Sequence, residues 1–164
     1  VASGLVDADL LSGVCQVALV ERHRATGGIT NAFVSGFGYN VDCAVACTVA
    51  HDCHHMIVVG TSRSDMAIAA NILRKIGGGA VVVSKGKQLA LVELPIAGLM
   101  SDERAEIVAA KADQLVAAMK ACGCTLNNAY MQHSLLALVV IPELRISDLG
   151  LVDVRTFEKV DLFV

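Results

Sequence analysis

Five consecutive residues, His51-Asp52-Cys53-His54-His55, hold the densest set of chemically active side chains in this sequence. Imidazole titrates near neutrality and ligates metals, and a neighbouring carboxylate can orient a ring or complete a ligand set. The run could therefore shuttle protons, contact a polar ligand through His51, Asp52 and His54, or ligate a metal through His51 and His54. The plainer alternative is a polar turn between two strands with one ring simply hydrogen-bonded. A second group, Glu21-Arg22-His23-Arg24, has the side chains of an anion clamp or of a solvated loop. Other chemistry is missing. There is no GxSxG nucleophile elbow, and no two of the five histidines lie two residues apart, so the HxH pair of a binuclear metallohydrolase is absent. Gly77-Gly78-Gly79 follows a helical pattern, whereas phosphate loops precede a helix. This chain alone holds no complete catalytic apparatus.

The six cysteines, Cys15, Cys43, Cys47, Cys53, Cys122 and Cys124, include no CxxC pair. No basic segment followed by an apolar one marks a secretion signal at the N-terminus, so they read as reduced thiols of a cytoplasmic protein. Cys43 and Cys47 share strand parity with Val41, Val45 and Val49, which places all five on one core-facing side. His51 continues that parity, so a buried His51 is a second expectation.

Both groups of polar residues follow apolar segments, and those segments must aim them. Residues 14–21 read as a strand apolar on both faces, 22–40 as a loop with at most one short strand, 41–50 as a strand, and 56–60 (MIVVG) as a short buried strand. Small residues opposite Cys43 and Cys47 would let another element pack closely. A helix follows, capped by Ser62 or Ser64, with Asp65 in its first turn. Its stripe is Met66, Ala69, Ala70, Leu73 and Ile76, and its stop is at Gly77. Residues 80–83 and 89–94 form a hairpin around Lys85-Gly86. A second helix opens at Ser101-Asp102-Glu103 and presents Ala105, Val108, Ala112, Leu115, Val116 and Met119. Residues 135–141 read as a last buried strand. The order predicts an α+β fold, a mixed β-sheet packed with two main helices, in one domain over residues 1–164.

Composition sets the limits. Of 164 residues, 55% are hydrophobic and 18% charged, and 13 basic against 16 acidic residues leave a net charge of −3. Disorder and a phosphate-driven nucleic-acid groove are excluded. The longest stretch without a charged residue, 121–142, is interrupted by Asn127, Asn128, Gln132 and His133, so no membrane span is expected. With a mean hydropathy of +0.62, part of the surface is expected to lie against another domain or a second copy in a homo-oligomer. The chain begins at Val1 rather than Met, as a piece of a longer polypeptide would.

Several motifs taken together carry a family likeness. ERHRATG (21–27), GFG (36–38), VAHDCHHMIVVGT (49–61), DMAIAAN (65–71), GGG (77–79), LPIAGLMS (94–101) and VIPEL (140–144) resemble the C-terminal domain of bacterial adenine deaminase, over nearly the whole chain to the closing VDLFV. Two positions depart from the family pattern: Cys53 stands where the family has Ser, and His55 where it has Asn. The resemblance implies an amidohydrolase-superfamily enzyme that converts adenine and water to hypoxanthine and ammonia. It also implies a divalent metal, Mn or Fe, bound in an upstream barrel domain outside this chain, which would be this domain's partner. What transfers here is HDCHH as a face turned toward that active site. The alternative is a non-catalytic assembly or ligand-binding module.

Overall fold

The computed structural model describes residues 13–163, so residues 1–12 and 164 of the expected domain lie outside the described part. Nine strands and three helices follow one another as β1 (Val14–Val20), β2 (Ile29–Ser35), β3 (Cys43–Cys47), β4 (Met56–Gly60), α1 (Arg63–Ile76), β5 (Gly79–Ser84), β6 (Lys87–Glu93), α2 (Ala105–Ala121), α3 (Ala129–Leu135), β7 (Leu144–Ser147), β8 (Gly150–Asp153) and β9 (Glu158–Val160). The first six strands form one sheet in the order β2-β1-β4-β3-β5-β6, and the last three form a small second sheet. The α+β class and single domain hold. The expected mixed pairing takes a different form, because every ladder in both sheets is antiparallel. β4 and β5, joined through α1, do run in the same direction, but β3 lies between them and pairs with both.

Strand alternation divides the core into two layers. Cys43, Val45, Cys47, Ile57, Val59, Ala80 and Val82 face the larger cluster beneath α2, α3 and the small sheet, as the parity of the cysteines predicts. Ala44, Ala46, Met56, Val58, Val81 and Val83 face α1, whose Met66, Ala69, Ala70, Leu73 and Ile76 form the expected stripe. The two alanines are the small residues that admit the helix.

Ser62 caps α1 by accepting the Asp65 N–H at 3.3 Å, and Gly77 ends it at φ 89°. α2 begins at Ala105 rather than Ser101, because the Ser101 hydroxyl accepts the Glu103 N–H in a separate turn. Leu115, Ala118 and Met119 face inward, while Val116, expected in the stripe, is exposed. An Ala-rich helix offers several nearly equivalent apolar faces.

Residues 135–141 do not form the expected strand. α3 runs into i to i+3 turns, with Leu138 N–H donating to Leu135 O and Ile141 N–H to Leu138 O, and Val140 is exposed. Apolar runs this short do not distinguish strand from helix end by period alone. β2 is a full seven-residue partner of β1, where only a short strand was expected. Among the described residues no helix is long and apolar enough to cross a membrane.

Candidate functional site

The register of two strands creates the polar cluster. β1 and β4 pair with Val20 opposite Met56, so the residues just beyond, Glu21-Arg22 and His54-His55, leave the sheet side by side. The Arg22 N–H donates to His55 Nδ1 at 3.4 Å, and its guanidinium Nε donates to the His54 carbonyl at 2.6 Å. His23 donates to the Cys53 carbonyl at 2.6 Å, and its ring lies 4.5 Å from that of His55. The two groups singled out in the sequence are thus one structural unit.

Within it, Glu21 and Arg22 work on the backbone rather than on an anion. The Glu21 carboxylate accepts the Thr26 and Arg24 N–H groups at 3.0 and 2.7 Å, and those bonds hold its pKa down to about 2. Arg22 spends its donors on the carbonyls of His54 and, at 2.8 Å, Ala97. The second carbonyl belongs to a turn over 95–100, itself fixed from beneath by the buried Thr48 hydroxyl, which donates to Gly98 O at 2.6 Å. Gly78 lies under that turn so closely that an added Cβ would sit 2.5 Å from the Gly98 Cα. The second of the three glycines therefore serves close packing.

His54 sits in the left-handed region at φ 50°, closed by its N–H to Ala50 O at 2.7 Å. Its ring meets His51 edge-on at 5.4 Å, and its Nδ1 is buried without a partner. Partial burial, and then the neighbouring His51, hold its pKa below the usual imidazole range. The ring is therefore neutral at pH 7, offering one donor and one acceptor. Asp52 is exposed and His51 half-buried. The parity expectation for His51 is corrected, because β3 ends at Cys47 and alternation does not carry past it.

The buried imidazole of the run is His55, which sequence reasoning noted only as a family departure. Its Nδ1 accepts the Arg22 N–H and lies 4.0 Å from Glu21 Oε1, and its Nε2 lies 3.6 Å from Asp148 Oδ2. Asp148, in the β7–β8 turn, was missed; nothing local in the sequence points to it. A cavity of about 610 Å³ adjoins the cluster between β1, β4 and the end of α1, bounded in part by Arg22, Met56, Leu73 and Arg74. None of His51, Asp52 and His54 lines it. Among the described residues no group of three His, Cys, Asp or Glu side chains could hold a metal ion. The six thiols are unpaired. Burial pushes Cys15 up to about 11 and Cys47 up to about 12.

Residues 1–158 match the family model described as the adenine deaminase C-terminal domain. The chain belongs to this family. It is 73% identical over all 164 residues to the protein named adenine deaminase of Mesorhizobium japonicum, covering 27% of that protein's length. It is 70% identical over its full length to adenine deaminase 3 of Rhizobium meliloti, covering 28%. It is 48% identical over 162 residues to the adenine deaminase of Moorella thermoacetica, covering 27%. The chain thus spans about a quarter of the length of these relatives, and the family description makes it their C-terminal part.

Proposed function

We propose that this domain is part of a purine-base deaminase that hydrolyses adenine to hypoxanthine and ammonia, and that His51, Asp52 and His54 line or close its substrate pocket. The family match over residues 1–158 carries the first half of this reading. The geometry of loop 51–55 supports the second: two imidazoles and a carboxylate stand at a strand exit, on a backbone held by Arg22 and Ala50, with one ring neutral by burial. A purine presents ring-nitrogen acceptors and an exocyclic amine donor, which a neutral imidazole complements.

The divalent metal of the reading, Mn or Fe, belongs to an upstream amidohydrolase barrel. No group of three His, Cys, Asp or Glu among the described residues could hold the ion, and because the barrel would supply the metal site the reading gives His51 and His54 substrate contact rather than ligation. In the same reading the whole enzyme is a cytoplasmic homo-oligomer of purine metabolism.

The test is His54→Ala in the full-length enzyme. The expected outcome is a fall in kcat/KM of about tenfold or more, about 1.4 kcal/mol of transition-state binding, with thermal stability nearly unchanged. Unchanged activity, or activity and stability falling together, would return the cluster to architecture.

A further inference from the structure

We propose that the turn over residues 95–100 is the apolar contact through which this domain docks on the rest of its own polypeptide. The proposal rests on the reading of loop 51–55 as facing a substrate pocket built elsewhere in that polypeptide, and it adds the surface that holds the two parts together.

Ile96, Leu99 and Met100 are 45%, 36% and 57% exposed, three large apolar side chains within five positions of one loop tip. Single exposed apolar residues are ordinary, but a cluster on a projecting turn marks a contact. The turn is also rigid. Ile96 and Met100 exchange a pair of backbone hydrogen bonds, each 3.1 Å, and the Leu99 N–H donates to Ile96 O at 3.0 Å. Gly98 O takes the Thr48 hydroxyl, and Ala97 O takes the Arg22 guanidinium. A hinged lid would have few such ties. Here apolar side chains stand on a frame fixed from two sides, an arrangement that lowers the ordering cost of association.

The occupant follows from two observations. The guanidinium that holds Ala97 O also holds His54 O, so the apolar turn and the imidazole loop are tied side by side, and a body met by the loop lies next to the turn. The chain covers only 27% of the Mesorhizobium relative, so most of such a polypeptide is available to be that body. A second copy seated there would leave the pocket-facing role of loop 51–55 without a pocket.

The test uses the full-length protein with Leu99→Asp/Met100→Asp and, as a milder pair, Leu99→Ser/Met100→Ser. Both are probed by limited digestion with proteinase K and by sedimentation velocity. Docking predicts that the Asp pair releases an intact fragment of about 17.1 kDa roughly tenfold faster than the parent, with oligomeric state unchanged. The Ser pair should move the same way by less. Should the Asp fragment itself be degraded, the Ser pair decides. A release rate within about twofold of the parent would overturn the proposal. So would dissociation of the oligomer without release, which would give the turn to a subunit interface. The two readings fail separately. Active His54→Ala enzyme alongside a released Asp-pair domain removes the pocket role and leaves docking. Impaired His54→Ala enzyme with no release removes docking alone.

Discussion

His133 is fully buried, edge-on to Phe37 at 4.4 Å, with Nε2 hydrogen-bonded to the Tyr39 hydroxyl at 2.9 Å and Nδ1 without a partner. Burial alone holds its pKa down to about 3, so the folded protein keeps the ring neutral where the unfolded chain protonates it near 6.5. Between those values the unfolded state binds more protons, and stability must fall as pH falls, by up to about 1.4 kcal/mol per pH unit from this group. Above the unfolded value the contribution is complete. Urea unfolding at pH 6 and pH 4.5 checks this: His133→Phe should remove that part of the slope, whatever the carboxylates add. At this scale the sequence was readable wherever a regular element carried the residue. Cys43 and Cys47 lie where strand alternation puts them, whereas His51 falls beyond the end of its strand and escapes the rule. The importance of His55 depends on Asp148, far along the chain, and no local pattern encodes that meeting.

Between elements, Asp65 shows how one residue can serve two at once. Its place in the first turn of α1 suggests a partner for the helix dipole, and its N–H does bond the Ser62 cap. Its carboxylate, buried to 1% exposure, accepts the N–H groups of Lys85 and Gly86 at 2.9 and 2.7 Å. Both turn residues have positive φ, 51° and 76°, the geometry that matches a two-residue hairpin to strand twist. Asp65→Ala therefore removes two charge-assisted bonds that tie the exposed hairpin turn to α1 and is expected to cost about 1–3 kcal/mol. Ser62→Ala, losing one cap bond, should cost about 1 kcal/mol; denaturant midpoints of the two variants give the ranking. α1 and the β5–β6 hairpin were legible because their stops, Gly77 and Lys85-Gly86, are strong local signals. α3 and the small sheet were not. Their strands are three or four residues long, and they acquire meaning only against Phe37, Tyr39 and the underside of the main sheet.

For the whole molecule, the reading of the domain as one part of a deaminase has a direct consequence. The purified 164-residue chain, supplied with adenine and Mn or Fe, is expected to fold and to produce no hypoxanthine; measured hypoxanthine above a no-protein control would contradict it. The position of β3 has a consequence for synthesis. Its five residues, CAVAC, are buried on both faces, and it pairs on one side with β4 and on the other with β5. The chain leaves the ribosome in order, so β3 and β4 can form a hairpin while β5 is still unmade. Until α1 and β5 arrive, β3 is an unpaired apolar edge, the kind of surface on which nascent chains stick to one another. A chain stopped before Gly79 should therefore aggregate faster than one extended past Glu93, in which β5 and β6 cover that edge. The slot that gives the finished sheet its most protected strand is, during translation, the point where a chaperone has most to cover.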